Sequence, residues 1–215
     1  EGSTGAARLL VGVVLACVAV GPARAGEARP TNVIVVLVDD MGWNDLSCQG
    51  SGFYRTPHID RLAASGTRFT HGYAACPVCS PTRAALLSGQ WPARLHVTDW
   101  IAGHERPDAR LAIPDWTKHL PLEVVTLAER LRGAGYATAS IGKWHLVPRD
   151  QRASGPFHMW PTGLGFERYY GFLGGETDQY YPDLVFDNHE VEPPQSPEEG
   201  YHLTQDKIGR ASCRE

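Results

Sequence analysis

From Asn32 to Val38 the chain is one continuous apolar, β-branched run, closed by the acidic pair Asp39-Asp40. A run of that length without alternation predicts a strand buried on both faces of a parallel sheet. After a Gly-rich polar loop, Thr56-Pro57 opens a short helix over His58 to Ser65. Thr56 is its N-cap, the proline occupies the first helical position, and Gly66 lies past the end. Thr67 to Tyr73 reads as a second strand. The next helix has Ser80 as N-cap, Pro81 at its first position and Gly89 beyond Ala84-Ala85-Leu86-Leu87-Ser88. Residues 90–121 read as a long loop rich in Trp, Pro and His. Thr126 then caps a helix over Leu127 to Arg132, with Leu127 and Leu131 on one face and Gly133 and Gly135 closing it. Ala137 to Ile141 predicts a third strand, ending in Gly142-Lys143-Trp144-His145.

Strands alternating with short helices predict an α/β fold, a mainly parallel sheet flanked by helices and joined by right-handed crossovers. From Val147 to Gln205 the chain is dense in Gly, Pro and aromatics and carries few periodic segments. No internal repeat or linker divides it.

The ends carry a different pattern. Arg8 precedes the apolar run Leu9 to Val20, followed by Pro22 and the small-x-small sequence Ala23-Arg24-Ala25. This predicts an export signal over residues 1–25, hence a periplasmic or extracellular protein. The run is too short to imply stable membrane insertion. Residues 208–215, Ile208 to Glu215, match what a common sequencing adapter encodes in one frame and are expected to be a non-native tail. The mature part is then residues 26–207.

Composition excludes little beyond this. With 42% hydrophobic residues and a net charge of −4 the chain is of ordinary globular type. Its 20 Lys and Arg are scattered among 24 Asp and Glu, so nothing predicts a nucleic-acid partner. Of five cysteines, Cys17 lies in the signal and Cys213 in the tail. Cys48, Cys76 and Cys79 remain, an odd set that is no disulfide framework.

In open parallel sheets ligands bind beyond the carboxyl ends of the strands. The three predicted strands end in Asp39-Asp40, in the Cys79 segment and in Lys143 with His145. The fold should therefore gather these groups at one edge. Adjacent carboxylates suit a hard divalent cation; the alternative is one Asp capping a turn and the other solvated. Cys79 lies next to a helix start, where free N–H groups and the dipole favour an anion. Arg83, Lys143 and His145 add cationic donors, a set suited to a tetrahedral oxyanion such as sulfate or phosphate.

Cys79-Ser80-Pro81-Thr82-Arg83 fits the pattern Cys-x-Pro-x-Arg, Val38-Asp39-Asp40-Met41-Gly42 looks like a first metal segment, and Gly135 to His145 resembles a second signature. On these residues the chain resembles the N-terminal portion of a type I, formylglycine-dependent sulfatase, arylsulfatase-like, with the alkaline-phosphatase-like fold. The resemblance implies that a formylglycine-generating maturation enzyme oxidises Cys79, whose hydrated aldehyde supplies the nucleophile. It implies one calcium ion on Asp39, Asp40 and residue 79. Arg83 would steady the hydrate, Lys143 would bind sulfate oxygens, and His145 would hold the second hydroxyl and help expel sulfate. The substrate would be an aryl or carbohydrate sulfate. Residues up to about Ile141 resemble the carbohydrate-acting arylsulfatase A-like branch, and Val147 to Asn188 the bacterial arylsulfatases. Thr82 replaces the usual Ser. The family's further metal ligands, its general-acid His and a second Lys are expected outside these 215 residues, so the chain alone should show no turnover.

Two other readings remain open at this point. A phosphonate or phosphate-diester hydrolase of the same superfamily would share the Cys-x-Pro-x-Arg segment. Cys76-Pro77-Val78-Cys79 is also a CxxC motif at a helix start, as in thiol–disulfide proteins.

Overall fold

In a computed structural model the described residues are 31–104 and 107–212. The predicted signal, and Cys213 with the end of the predicted tail, lie outside them. Two units divide the chain, residues 1–38 and 39–215.

In the first unit, residues 31–38 carry no regular secondary structure, and Val33 to Val38 are all exposed. The strand expected there is not formed. A β-branched run gains strand structure from hydrogen-bonded neighbours and side-chain packing on both faces, and propensity alone does not supply them.

In the second unit, four strands form one mixed sheet in the order β1-β2-β3-β4. They are β1 (Ala139–Lys143), β2 (Arg168–Phe172), β3 (Leu184–Phe186) and β4 (His189–Val191). β1 and β2 pair in parallel, from Ala139 opposite Arg168 to Lys143 opposite Phe172. The other two pairings are antiparallel. β1 starts two residues later than the sequence predicts, and β2 to β4 arise from a segment without sequence periodicity. Thr67 to Tyr73, expected as a strand, is irregular and exposed; its polar Thr67, Arg68, Thr70 and His71 leave it no apolar face to bury.

β2 is buried on both faces. Tyr169 and Leu173 pack with Trp144, Leu146, Val147, Trp160 and Ala84 in the larger core. Tyr170 and Phe172 point the other way, against Leu184, Tyr201 and Leu203. The β1–β2 pair is tight at Gly142 and Gly171. A Cβ on Gly171 would lie 1.9 Å from the Gly142 carbonyl oxygen, and that oxygen also accepts the Tyr169 hydroxyl at 3.1 Å.

Among the described residues there are five α-helices: α1 (Pro57–Ser65), α2 (Cys79–Ser88), α3 (Pro92–Leu95), α4 (Leu127–Gly133) and α5 (Leu203–Ser212). α1 begins at its proline as expected, but the Thr56 side chain does not cap it. That hydroxyl donates instead to Asp60 Oδ1 and accepts the Ser47 N–H, both at 2.9 Å. α4 has a complete capping box. Glu129 N–H reaches Thr126 Oγ1 at 3.1 Å, and Thr126 N–H reaches Glu129 Oε2 at 2.7 Å. The same threonine hydroxyl donates to the buried Leu164 carbonyl at 2.7 Å.

α2 departs from expectation by starting at Cys79, with Val78 as an extended N-cap; Ser80 is inside the helix. Ser80 is fully buried, and its hydroxyl accepts the Ile101 N–H at 3.0 Å, so it is committed to tertiary structure and unavailable as a cap. Gly89 ends α2 in the left-handed conformation at φ 67°. Among the described residues no helix is long and apolar enough to cross a membrane.

Candidate active site

The site is built on the end of β1 and the first turn of α2. Lys143, the last residue of β1, splits its two polar functions. Its ammonium meets Asp39 Oδ2 at 2.5 Å, while its backbone carbonyl accepts a hydrogen bond from Arg83 Nη1 at 2.6 Å. Arg83 Nη2 lies 3.6 Å from Asp39 Oδ1. One carboxylate is thereby held between two cations on different elements, both largely buried. Burial pushes the Asp39 carboxyl up, but the hydrogen bond and charge of Lys143 and the charge of Arg83 outweigh it and hold the group below the usual carboxylate range.

Cys79 is at the first helical position of α2, one turn before Arg83, which places the two residues on one face. It is half-buried and free, as are Cys48 and Cys76. Thr82 Oγ1 donates to the Cys76 carbonyl at 2.6 Å and so ties the start of α2 to the preceding loop. Arg83 Nε is buried with no hydrogen-bond partner, an unspent donor beside the ion pair. Asp40 follows Asp39 in the left-handed region at φ 55° and is exposed.

His145 leaves β1 with φ 58° and is almost wholly buried. Its Nε2 is bonded to the Ile101 carbonyl oxygen. A carbonyl can only accept, so the neutral ring carries its proton on Nε2, and Nδ1 remains a free acceptor. Nδ1 is buried and unpartnered. Desolvation pushes the His145 pKa down to about 4. The Ile101 bond opposes this shift, whereas the charges of Lys143, Arg152 and Arg83 reinforce it. Gly175 lies flat against the ring, where a Cβ would come within 2.6 Å of Cε1.

Of the residues singled out from sequence, Asp39, Arg83 and Lys143 therefore meet directly, and Cys79 is one helical turn away. His145 joins them through Ile101, whose N–H is held by Ser80 in α2. Among the described residues the Asp40 side chain forms no ion pair with the cations of the group. Nothing in the sequence pointed to Ile101, since every residue except proline offers the same backbone groups, or to Arg152. Gly175 belongs to the Gly-rich stretch after β2, and its density was the only available signal. Among the described residues no group of three or more His, Cys, Asp or Glu side chains is placed to hold a metal ion.

The α/β fold thus holds the Asp39 carboxylate between an arginine and a lysine, one helical turn from a cysteine at a helix start. The chain belongs to the sulfatase family, which matches residues 31–211. It is 42% identical over 166 residues to the steryl-sulfatase of Mus musculus, covering 77% of this chain and 25% of that protein. It is 42% identical over 163 residues to the N-acetylgalactosamine-6-sulfatase of Sus scrofa, covering 74% of this chain and 28% of that one. Among solved structures, Ps i-CgsB in complex with k-i-k-neocarrahexaose superposes with a TM-score of 0.61 at 26% identity, over 82% of this chain and 41% of that one. The chain thus spans about a quarter of the length of the curated relatives it matches.

Proposed function

We propose that these residues form part of the active site of a formylglycine-dependent hydrolase of carbohydrate or aryl sulfate esters. The observation that carries the reading is the Asp39–Lys143–Arg83 cluster one helical turn from Cys79. Two buried cations and an unpartnered Arg83 Nε form a site that stabilises negative charge. Two matching proteins carry carbohydrate in their names, N-acetylgalactosamine in one and a neocarrahexaose in the other. These names support a sulfated carbohydrate as the substrate.

The donor chemistry fits a divalent ion in part. Asp39 is ionised at neutral pH and Asp40 adjoins it, so both offer the hard oxygens that calcium takes, and residue 79 would add a third donor. When bound, the ion supplies positive charge that neutralises oxyanions and lowers the pKa of a coordinated hydroxyl. The residues of the chain do the rest. Lys143 and Arg83 orient the anionic group and hold Asp39 ionised. Neutral His145 offers Nδ1 as a hydrogen-bond acceptor to a hydroxyl near residue 79, its ring fixed by Ile101 and Gly175.

Conversion of Cys79 is the direct test. The chain is co-expressed with a formylglycine-generating enzyme, and the peptide containing residue 79 is weighed and probed with an aldehyde-specific hydrazide. The expected product carries an aldehyde in place of the thiol, and the protein binds inorganic sulfate. A residue 79 that stays a thiol, or joins Cys76 in a disulfide, would refute the reading.

A further inference from the structure

Directly after the site, residues 149–151 form a 3-10 turn with Arg152 at its end. Positions three apart eclipse one another in such a turn, so Arg149 and Arg152 share a side. Burial depresses the Arg152 pKa, and the charge of Arg149 adds to this, in keeping with their shared side of the turn. Among the described residues neither arginine forms an ion pair with a carboxylate. Two neighbouring polar atoms, Arg152 Nε and Gln151 Oε1, are buried without a hydrogen-bond partner. One is a donor and the other an acceptor, and each unpaired group costs on the order of 1–3 kcal/mol.

The turn adjoins the catalytic group. Arg152 Nη2 donates to the Ile101 carbonyl at 3.4 Å, the same oxygen that holds His145 Nε2. Arg152 lies also against the glycine segment that covers His145, where a Cβ on Gly174 would be 3.5 Å from its Nη1.

We propose that Arg149, Gln151 and Arg152 form a second anion subsite, which takes a further acidic group, carboxylate or sulfate, carried by a hydroxyl-bearing unit next to the sulfate ester. This deepens the proposed function and rests on it. A sugar acid supplies what the turn lacks: an anion for the two guanidinium groups and a hydroxyl donor for Gln151 Oε1. Substrates with two acidic groups, as in sulfated or uronic-acid-containing oligosaccharides, are then preferred over singly sulfated sugars. Arg152 is a specificity residue here and takes no part in the bond that breaks.

The test compares two ligands by calorimetry at low salt: galactose 6-sulfate, and a disaccharide joining the same sulfated sugar to a uronic acid. The wild-type chain is expected to favour the disaccharide about tenfold. In R149Q/R152Q that ratio falls to within about twofold, while R152K, which keeps the charge, retains most of it. R149Q, at an exposed position, gives an independent reading if R152Q does not fold. An unchanged ratio in the double variant, or equal affinities in the wild type, overturns the subsite. Absence of binding by either ligand overturns the sulfate-ester reading and the subsite with it.

Discussion

Lys143 and Asp39, 104 residues apart in sequence, meet at 2.5 Å, and the same Lys143 holds Arg83 through its backbone carbonyl. The ion pair depends on a side chain, whereas the position of Arg83 depends on the strand. Lys143→Met therefore removes the main group that depresses the Asp39 pKa, and burial drives that carboxyl upward. A carbon-detected titration of the Asp39 carboxyl should show the rise. Because about a third of the Asp39 side chain is exposed, the coupling in a Lys143→Met/Asp39→Asn double-mutant cycle should be only about 1 kcal/mol.

Stability should fall as the medium is acidified through the histidine range. The folded pKa of His145 is about 4 against an ordinary 6.5. Between those values the unfolded chain binds a proton that the folded chain refuses. The loss therefore starts near 6.5 and is complete near 4, amounting to about 3 kcal/mol. Asp39 acts lower, because its depressed carboxyl keeps its contribution until the pH drops below the ordinary 3.8. Melting curves across this range should show the first step in the wild type and lose it in His145→Asn. Asparagine tolerates the positive φ at this position.

Gly171→Ala should cost more than about 2 kcal/mol, since its Cβ would overlap the Gly142 carbonyl and push β1 from β2. Gly133→Ala, where nothing lies within 4 Å of a built Cβ, serves as the control and should be near neutral or mildly stabilising. Urea unfolding of both variants reads the contrast.

The two capping boxes should differ in worth. Ser196 and Glu199 form one in an exposed turn, and Ser196→Ala should cost about 0.5 kcal/mol. Thr126→Ala removes both the cap of α4 and the donor to the buried Leu164 carbonyl, so about 2 kcal/mol is expected. Equal losses in chemical denaturation would contradict this account.

The sequence announces helices where local signals mark their ends: a fixed φ at proline, access to positive φ at glycine, a capping hydroxyl at threonine. Pro57, Gly89 and Thr126 set α1, α2 and α4 through local backbone preference, which requires no knowledge of the fold. Strands were less legible. Val33 to Val38 has the composition of a buried strand without being one, and β2 is strand in a segment whose aromatics face both cores and so never alternate with polar residues. The site residues Asp39, Arg83 and Lys143 were gathered by reasoning from strand ends, yet only β1 among the three predicted strands is present. What joins them is two ion pairs on Asp39 and one backbone carbonyl. Ile101, with both of its backbone groups committed, could be found only in three dimensions.

The carbonyl of Lys143 is indifferent to the identity of its own side chain. In Lys143→Ala the guanidinium of Arg83 keeps its anchor, and the missing propylammonium leaves a slot of fixed length ending at Asp39. Such a slot is open to chemical complementation. A primary alkylammonium added from solution should occupy it, with chain length setting the efficiency, so the contribution of one charge at this position can be titrated in and out of an otherwise intact frame.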